Sequence, residues 1–176
     1  DLKMKKINKT LAALGVAALT SVATAGEVLV GETEQNGMEI VAVYLQPVTM
    51  QPHYPGMEGD IHLEADIHAI EGNKQGFGAG DWIPYLDIAY HITKHGSDWS
   101  TTNNFEPMIA SDGPHYANNI KLDGPGKYHL IYNIKPPAYA GFMRHTDAET
   151  GVGKWWEPIR LEWDFPYVGT GKKGGY

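Results

Sequence analysis

From residue 60 to residue 70 the chain alternates without a break. Ile61, Leu63, Ala65, Ile67 and Ala69 fall on one side, and Asp60, His62, Glu64, Asp66 and His68 on the other. Successive side chains of a strand point to opposite faces, so this pattern predicts a β-strand with one buried and one polar face. Residues 38–50 are rich in β-branched and aromatic side chains and follow an Asn36-Gly37 turn signal, which predicts a second strand. Further strands are expected over 82–95, 105–110, 116–122, 127–134 and 159–168. Between them stand the turn clusters Glu71-Gly72-Asn73, Asp112-Gly113-Pro114, Asp123-Gly124-Pro125-Gly126 and Pro136-Pro137. About seven strands joined at short intervals, with no long helical period, predict an all-β fold: an immunoglobulin-like antiparallel β-sandwich, with a small barrel as the alternative. Residues 138–154 show no alternation and are long for a connection, which marks them as a candidate functional loop.

The first 25 residues follow a different pattern. Lys3, Lys5, Lys6 and Lys9 form a basic head, an apolar run covers 11–22, and Ala23-Thr24-Ala25 supplies a small-x-small cleavage signal. This is the pattern of an export signal, with cleavage expected between Ala25 and Gly26. The apolar run is short of the ~20 residues that a spanning helix needs. Residues 26–176 are then expected to form a single β-sandwich domain, with 169–176 a flexible tail. Without 1–25 the chain carries 10 basic against 20 acidic residues, a formal charge of −10. That acidity disfavours nucleic acid and anionic lipid as partners and favours attraction of cations.

The chain contains no cysteine. No disulfide supports an exported domain of this kind, and no thiolate is on hand for a cysteine nucleophile, a zinc ribbon or a blue-copper centre. A transition metal would have to be held by imidazole, thioether and carboxylate. The polar stripe from His62 to His68 offers such groups, since a separation of two on a strand puts His62 and Glu64 side by side. An ordinary solvated strand face reads the same way. Met108 and His115 flank Ser111-Asp112-Gly113-Pro114, and a chain reversal there would bring thioether and imidazole together. Met is nonetheless more often a filler of irregular core gaps than a ligand. His145 lies in the long loop beside Met143, Arg144 and Asp147, whereas His53, His91, His95 and His129 have no partner by spacing. A thioether favours copper, particularly Cu(I), over zinc, while Glu64 suits a harder ion such as Cu(II) or Fe(III). Imidazole ligation is expected to fail as pH falls toward about 6. Phosphate loops, H-E-x-x-H and nucleophile-elbow motifs are absent from the sequence.

Several longer motifs carry a resemblance. They are Asn36-Gly37-Met38-Glu39-Ile40, Ala42-Val43-Tyr44-Leu45-Gln46-Pro47 and the run from Asp60 to Ala69. They continue with Pro84-Tyr85-Leu86, Met108 with Asp112-Gly113-Pro114-His115-Tyr116, and Arg144-His145 leading to Glu149-Thr150-Gly151-Val152-Gly153-Lys154-Trp155. In this order, from about Gly26 to Gly169, the chain resembles the periplasmic iron-transport accessory proteins encoded beside high-affinity iron permeases in bacteria. The resemblance implies an immunoglobulin-like sandwich that forms a homodimer, binds copper and supports iron uptake beside an inner-membrane iron permease. It also implies a ligand set of His62, Met108, His115 and His145, with Glu64 as an additional or alternative ligand. Iron would be the transported or second-site ion. Three readings of function stay open on the sequence: a copper-dependent iron-binding or delivery protein, a copper-dependent ferroxidase or ferric reductase, and a copper-sequestering module.

Overall fold

The computed structural model describes residues 26–169; the expected export signal and the tail from residue 170 lie outside the described residues. Among the described residues nine strands form in order: β1 (Val28–Gln35), β2 (Met38–Leu45), β3 (Ile61–Ala69), β4 (Asp87–Lys94), β5 (Ser100–Asn104), β6 (Glu106–Ala110), β7 (Gly113–Ile120), β8 (Gly126–Lys135) and β9 (Ile159–Tyr167). They pair into a five-stranded sheet, β1-β2-β3-β7-β6, and a four-stranded sheet, β5-β4-β8-β9, antiparallel throughout. The expected all-β sandwich is the fold observed.

The alternation in β3 explains the stacking. Its inner face, Ile61, Leu63, Ala65 and Ile67, meets the inner-face residues Ile88, Tyr90 and Ile92 of β4 and Leu130, Tyr132 and Ile134 of β8 in one core. Burying each large apolar side chain of this kind contributes roughly 1.5–3 kcal/mol. The sheets exchange chain at Phe105, a buried residue between β5 and β6 whose N–H donates to the Ile88 carbonyl at 2.9 Å. Tyrosine hydroxyls cross the core to satisfy themselves on backbone, Tyr132 donating to the Glu64 carbonyl (2.9 Å) and Tyr44 to that of Pro166 (2.8 Å).

Two strands and three boundaries differ from the alternation. β1 and β5 were not expected, because β1 is broken by Gly31 at a register irregularity and β5, Ser-Thr-Thr-Asn-Asn, is a polar edge strand made by backbone pairing to β4 alone. The 38–50 strand stops at Leu45, where the chain leaves the sheet for the long excursion to β3. The strand expected from residue 82 begins only at Asp87. Pro84 has no N–H to give, Tyr85 sits at φ 60°, and only Trp82 bridges back to His68. β7 starts at Gly113, earlier than expected, because Ala110 pairs with Gly113 and the reversal is confined to Ser111-Asp112.

Candidate metal centre

Three strands of the five-stranded sheet place the candidate ligands on its outer face. In β3, His62 and Glu64 are two apart; in β7, His115, Ala117 and Asn119 share one face; β6 adds Met108 directly opposite His115. The register sets His62 against Asn119 and Glu64 against Ala117. Ala117 is completely buried and small, which leaves room on this face beside Glu64. The reversal read from Ser111-Asp112-Gly113-Pro114 is therefore present, and it puts the Met108 thioether on the strand next to the His115 imidazole.

His62, Glu64 and His115 each offer a ligand atom within 4.8 Å of the others, the one such cluster of His and carboxylate groups among the described residues. His62 Nε2 lies 3.4 Å and His115 Nε2 3.7 Å from Glu64 Oε1, and all three residues are buried. Met108 lines the cavity of about 640 Å³ that opens onto the cluster, together with Glu27, Met50, Gln51 and Asp112.

The hydrogen bonds decide which nitrogen of each ring faces this space. The Nδ1 of His115 donates to the Gly113 carbonyl at 3.4 Å, and that of His62 lies 2.9 Å from Asn119 Oδ1. Each Nε2 is left as the lone-pair atom. The Nε2 of His115 is buried and has no hydrogen-bond partner. A buried polar atom left so is costly unless something completes it, and an imidazole lone pair aimed at a second imidazole and a carboxylate fits a bound cation.

Electrostatics agree with that fit. Burial pushes the Glu64 carboxyl up to about 8, and the charges of Asp66, Glu27 and Asp112 add to the rise. Burial also draws His62 down to about 4, the hydrogen bond to Asn119 opposing and His115 adding to the fall; burial lowers His115 as well. Burial thus favours the neutral, ligating form of both rings. The loss of His62 ligation toward pH 6, expected from an ordinary imidazole, is displaced to lower pH by burial.

The rest of the polar stripe does not join the cluster. Asp66 is the next residue on this face and is itself pushed up to about 7 by burial and by Glu27 and Asp112. His68 stands at the far end of β3, bridged to Trp82. His145 is also apart from the cluster: it sits on the irregular segment after the short 3-10 turn Pro137–Ala140, with its ring exposed. The Thr150 hydroxyl donates to Asp147 (2.6 Å) and so accepts from His145 Nδ1 (2.7 Å), which leaves this Nε2 too as a lone-pair atom. His95 and His129, without partners by spacing, both engage Asp164 Oδ1 (3.1 and 2.8 Å) on the outer face of the other sheet. Sequence reasoning missed Asn119, Glu27 and Asp112 as members of the surroundings. Asn119 could have been found, since it continues the His115 face at a period of two.

Comparisons with known proteins bear on this geometry. The model of the family described as Fe2+ transport protein matches residues 24–169. A UPF0423 protein of Brucella abortus is 49% identical over 166 residues, covering 90% of this chain and 91% of that protein. Among solved structures, FetP of uropathogenic Escherichia coli strain F11 shares 53% identity with a TM-score of 0.77, covering 81% of this chain and 97% of that one. The copper-reconstituted P19 protein of Campylobacter jejuni shares 46% identity with a TM-score of 0.78, covering 84% and 100%.

Proposed function

The chain belongs to the Fe2+ transport protein family, and on that premise we propose that it is a periplasmic copper-binding protein that binds iron and delivers it to a high-affinity inner-membrane iron permease. The observation that carries the copper reading is the buried Nε2 of His115, which makes no hydrogen bond and faces His62 Nε2 and Glu64 with Met108 on the adjoining strand. Two imidazoles and a thioether suit copper, and the carboxylate lets the same set accept the harder oxidised ion. The P19 structure that matches this fold is a copper-reconstituted one, which supports the same choice. When bound, copper would supply a one-electron couple beside the iron; the protein's part is to hold neutral nitrogen donors in place and to keep them from water.

Iron is the cargo in this reading. Glu27 and Asp112 line the same cavity and offer the hard oxygen donors that iron prefers. Among the described residues no helix is long and apolar enough to cross a membrane, and in this reading an inner-membrane permease carries the iron across. His145 fits as a ligand contributed by a second copy of the chain: its ring is prepared as an Nε2 donor, exposed, and separate from its own chain's cluster.

Anaerobic copper titration, followed by challenge with ferrous and ferric iron, tests this reading. Copper should bind tightly to the parent chain, and His115→Ala should weaken it at least ~10-fold, about 1.4 kcal/mol. Unchanged copper affinity in a folded His115→Ala variant would remove the ligand assignment. Iron that fails to bind whether copper is present or not would remove the cargo assignment.

A further inference from the structure

We propose that Asn119 is the positioning residue of this centre: a single amide holds His62 as an Nε2 donor and at the same time fastens the excursion over residues 46–58 that lines the cavity. Asn119 stands directly across from His62 in the β3–β7 register. Its Oδ1 accepts from the Val48 N–H at 3.3 Å and lies 2.9 Å from His62 Nδ1. Its Nδ2 donates to the carbonyls of Val48 (2.8 Å) and Met57 (2.9 Å). An amide has two acceptor sites on oxygen and two hydrogens on nitrogen, and all four are used here.

The polarity of these partners is not adjustable. A backbone N–H can only donate and a backbone carbonyl can only accept, so the amide has one orientation that satisfies Val48 and Met57. Oxygen therefore faces His62, and His62 Nδ1 must carry the proton. The Nε2 lone pair is thereby directed toward Glu64, 3.4 Å away. Moving the imidazole proton to Nε2 would set two acceptors against each other here, and flipping the amide would set donor against donor and acceptor against acceptor, each leaving buried polar groups unsatisfied.

The same bonds tie down the chain that lines the site. Met50 and Gln51, between the two anchored residues Val48 and Met57, line both the cavity over the cluster and the neighbouring cavity of about 700 Å³. Met108 also lines both. Opening this excursion breaks the bonds to Val48 and Met57 and frees the amide that orients His62. Metal occupancy and closure of residues 46–58 are coupled through one side chain, and the coupling is reciprocal.

The inference depends on the copper reading only for the identity of the ion, and its first test is made on metal-free protein. Nitrogen-15 chemical shifts of the imidazoles should show His62 with a protonated Nδ1 and a bare Nε2. A proton on Nε2 would overturn the proposal whatever metal is later found to bind. Asn119→Asp and Asn119→Ala then separate the two tasks. The aspartate keeps an acceptor for His62 but loses both donors to the loop, whereas the alanine loses everything. Limited proteolysis within 47–58 should quicken in both variants. Cu²⁺ affinity should fall by about 10–100-fold in Asn119→Ala, with most of it retained in Asn119→Asp. Equal loss in the two variants, or parental affinity in a folded Asn119→Ala, would overturn the positioning role. Failure of the parent to bind copper would instead overturn the copper reading and leave the imidazole result standing.

Discussion

Glu64 is a carboxyl group held between two imidazoles in a buried place, and its protonation sets how the centre responds to pH. With its titration raised to about 8, the folded chain prefers the neutral acid. Its contribution to the stability of metal-free protein is complete below about 4.5 and is lost as pH rises toward 8. His62, lowered to about 4, behaves in the opposite sense: its contribution is complete above about 6.5 and is lost as pH falls toward 4. A cation accepting the Glu64 carboxylate must displace its proton, so copper binding near pH 7 should release about one proton per chain. Calorimetry in two buffers of different ionisation enthalpy measures that release, and Glu64→Gln should abolish it. The same variant should melt above the metal-free parent by a margin that widens from pH 5 to pH 8.5. A margin that narrows with pH would contradict the buried-acid account.

At the scale of the element, β3 carries both the core and the centre, one on each face, so its register cannot slip without destroying both. β7 supplies the middle of the site because its alternate residues are His115, Ala117 and Asn119, an imidazole, a gap and a clamp. The two-residue reversal at Ser111-Asp112 then fixes Met108 opposite His115. β1 shows how a weak strand is kept in place. Its hairpin to β2 turns on Asn36 and Gly37, at φ 53° and 72°, a conformation that suits Asn-Gly. At Gly31 a Cβ would overlap the Trp163 indole of β9, so the absence of a side chain allows β1 to lie against the other sheet. Gly31→Ala should cost about 1–3 kcal/mol in urea unfolding, without changing copper affinity. The segment bearing His145 is likewise supported, by the Phe142–Tyr85 stack (4.9 Å) and the Gly153 N–H bond to the Lys74 carbonyl (2.7 Å). Its exposed imidazole is thus held on a braced platform.

For the whole molecule, the question is whether one chain completes its own centre. His145 does not join its own chain's cluster, and the proposed homodimer would bring it to the partner's. Mixing tests this directly. His145→Ala and His115→Ala chains should each bind copper weakly alone, since every site then lacks a ligand. Mixed and allowed to exchange subunits, they should regain tight binding, because a mixed pair contains one intact site. If His145 served its own chain, or no ion at all, mixing would restore nothing. The acidic character of the chain outside its first 25 residues acts at this scale too, drawing cations toward a cavity whose lining includes Glu27 and Asp112.

The sequence by itself determined the all-β sandwich, because alternation at a period of two has one physical meaning along a half-buried strand. It also determined the chemistry on offer: a chain without cysteine leaves imidazole, thioether and carboxylate, and His62 beside Glu64 follows from their spacing. Reading Met108 against His115 needed only a local chain reversal. The tertiary structure decided what local pattern does not encode. It brought β3 and β7, some fifty residues apart in sequence, into a register that converts a solvated stripe into a buried cluster. It separated His68 and Asp66 from that cluster and left His145 outside it. It also supplied Asn119, whose role depends on backbone groups of a distant excursion. Burial is the physical reason for the difference: removal from water is what favours the neutral Glu64, keeps both rings in their ligand form and leaves the His115 Nε2 without a hydrogen bond. It arises only when the strands and the excursion close over one another.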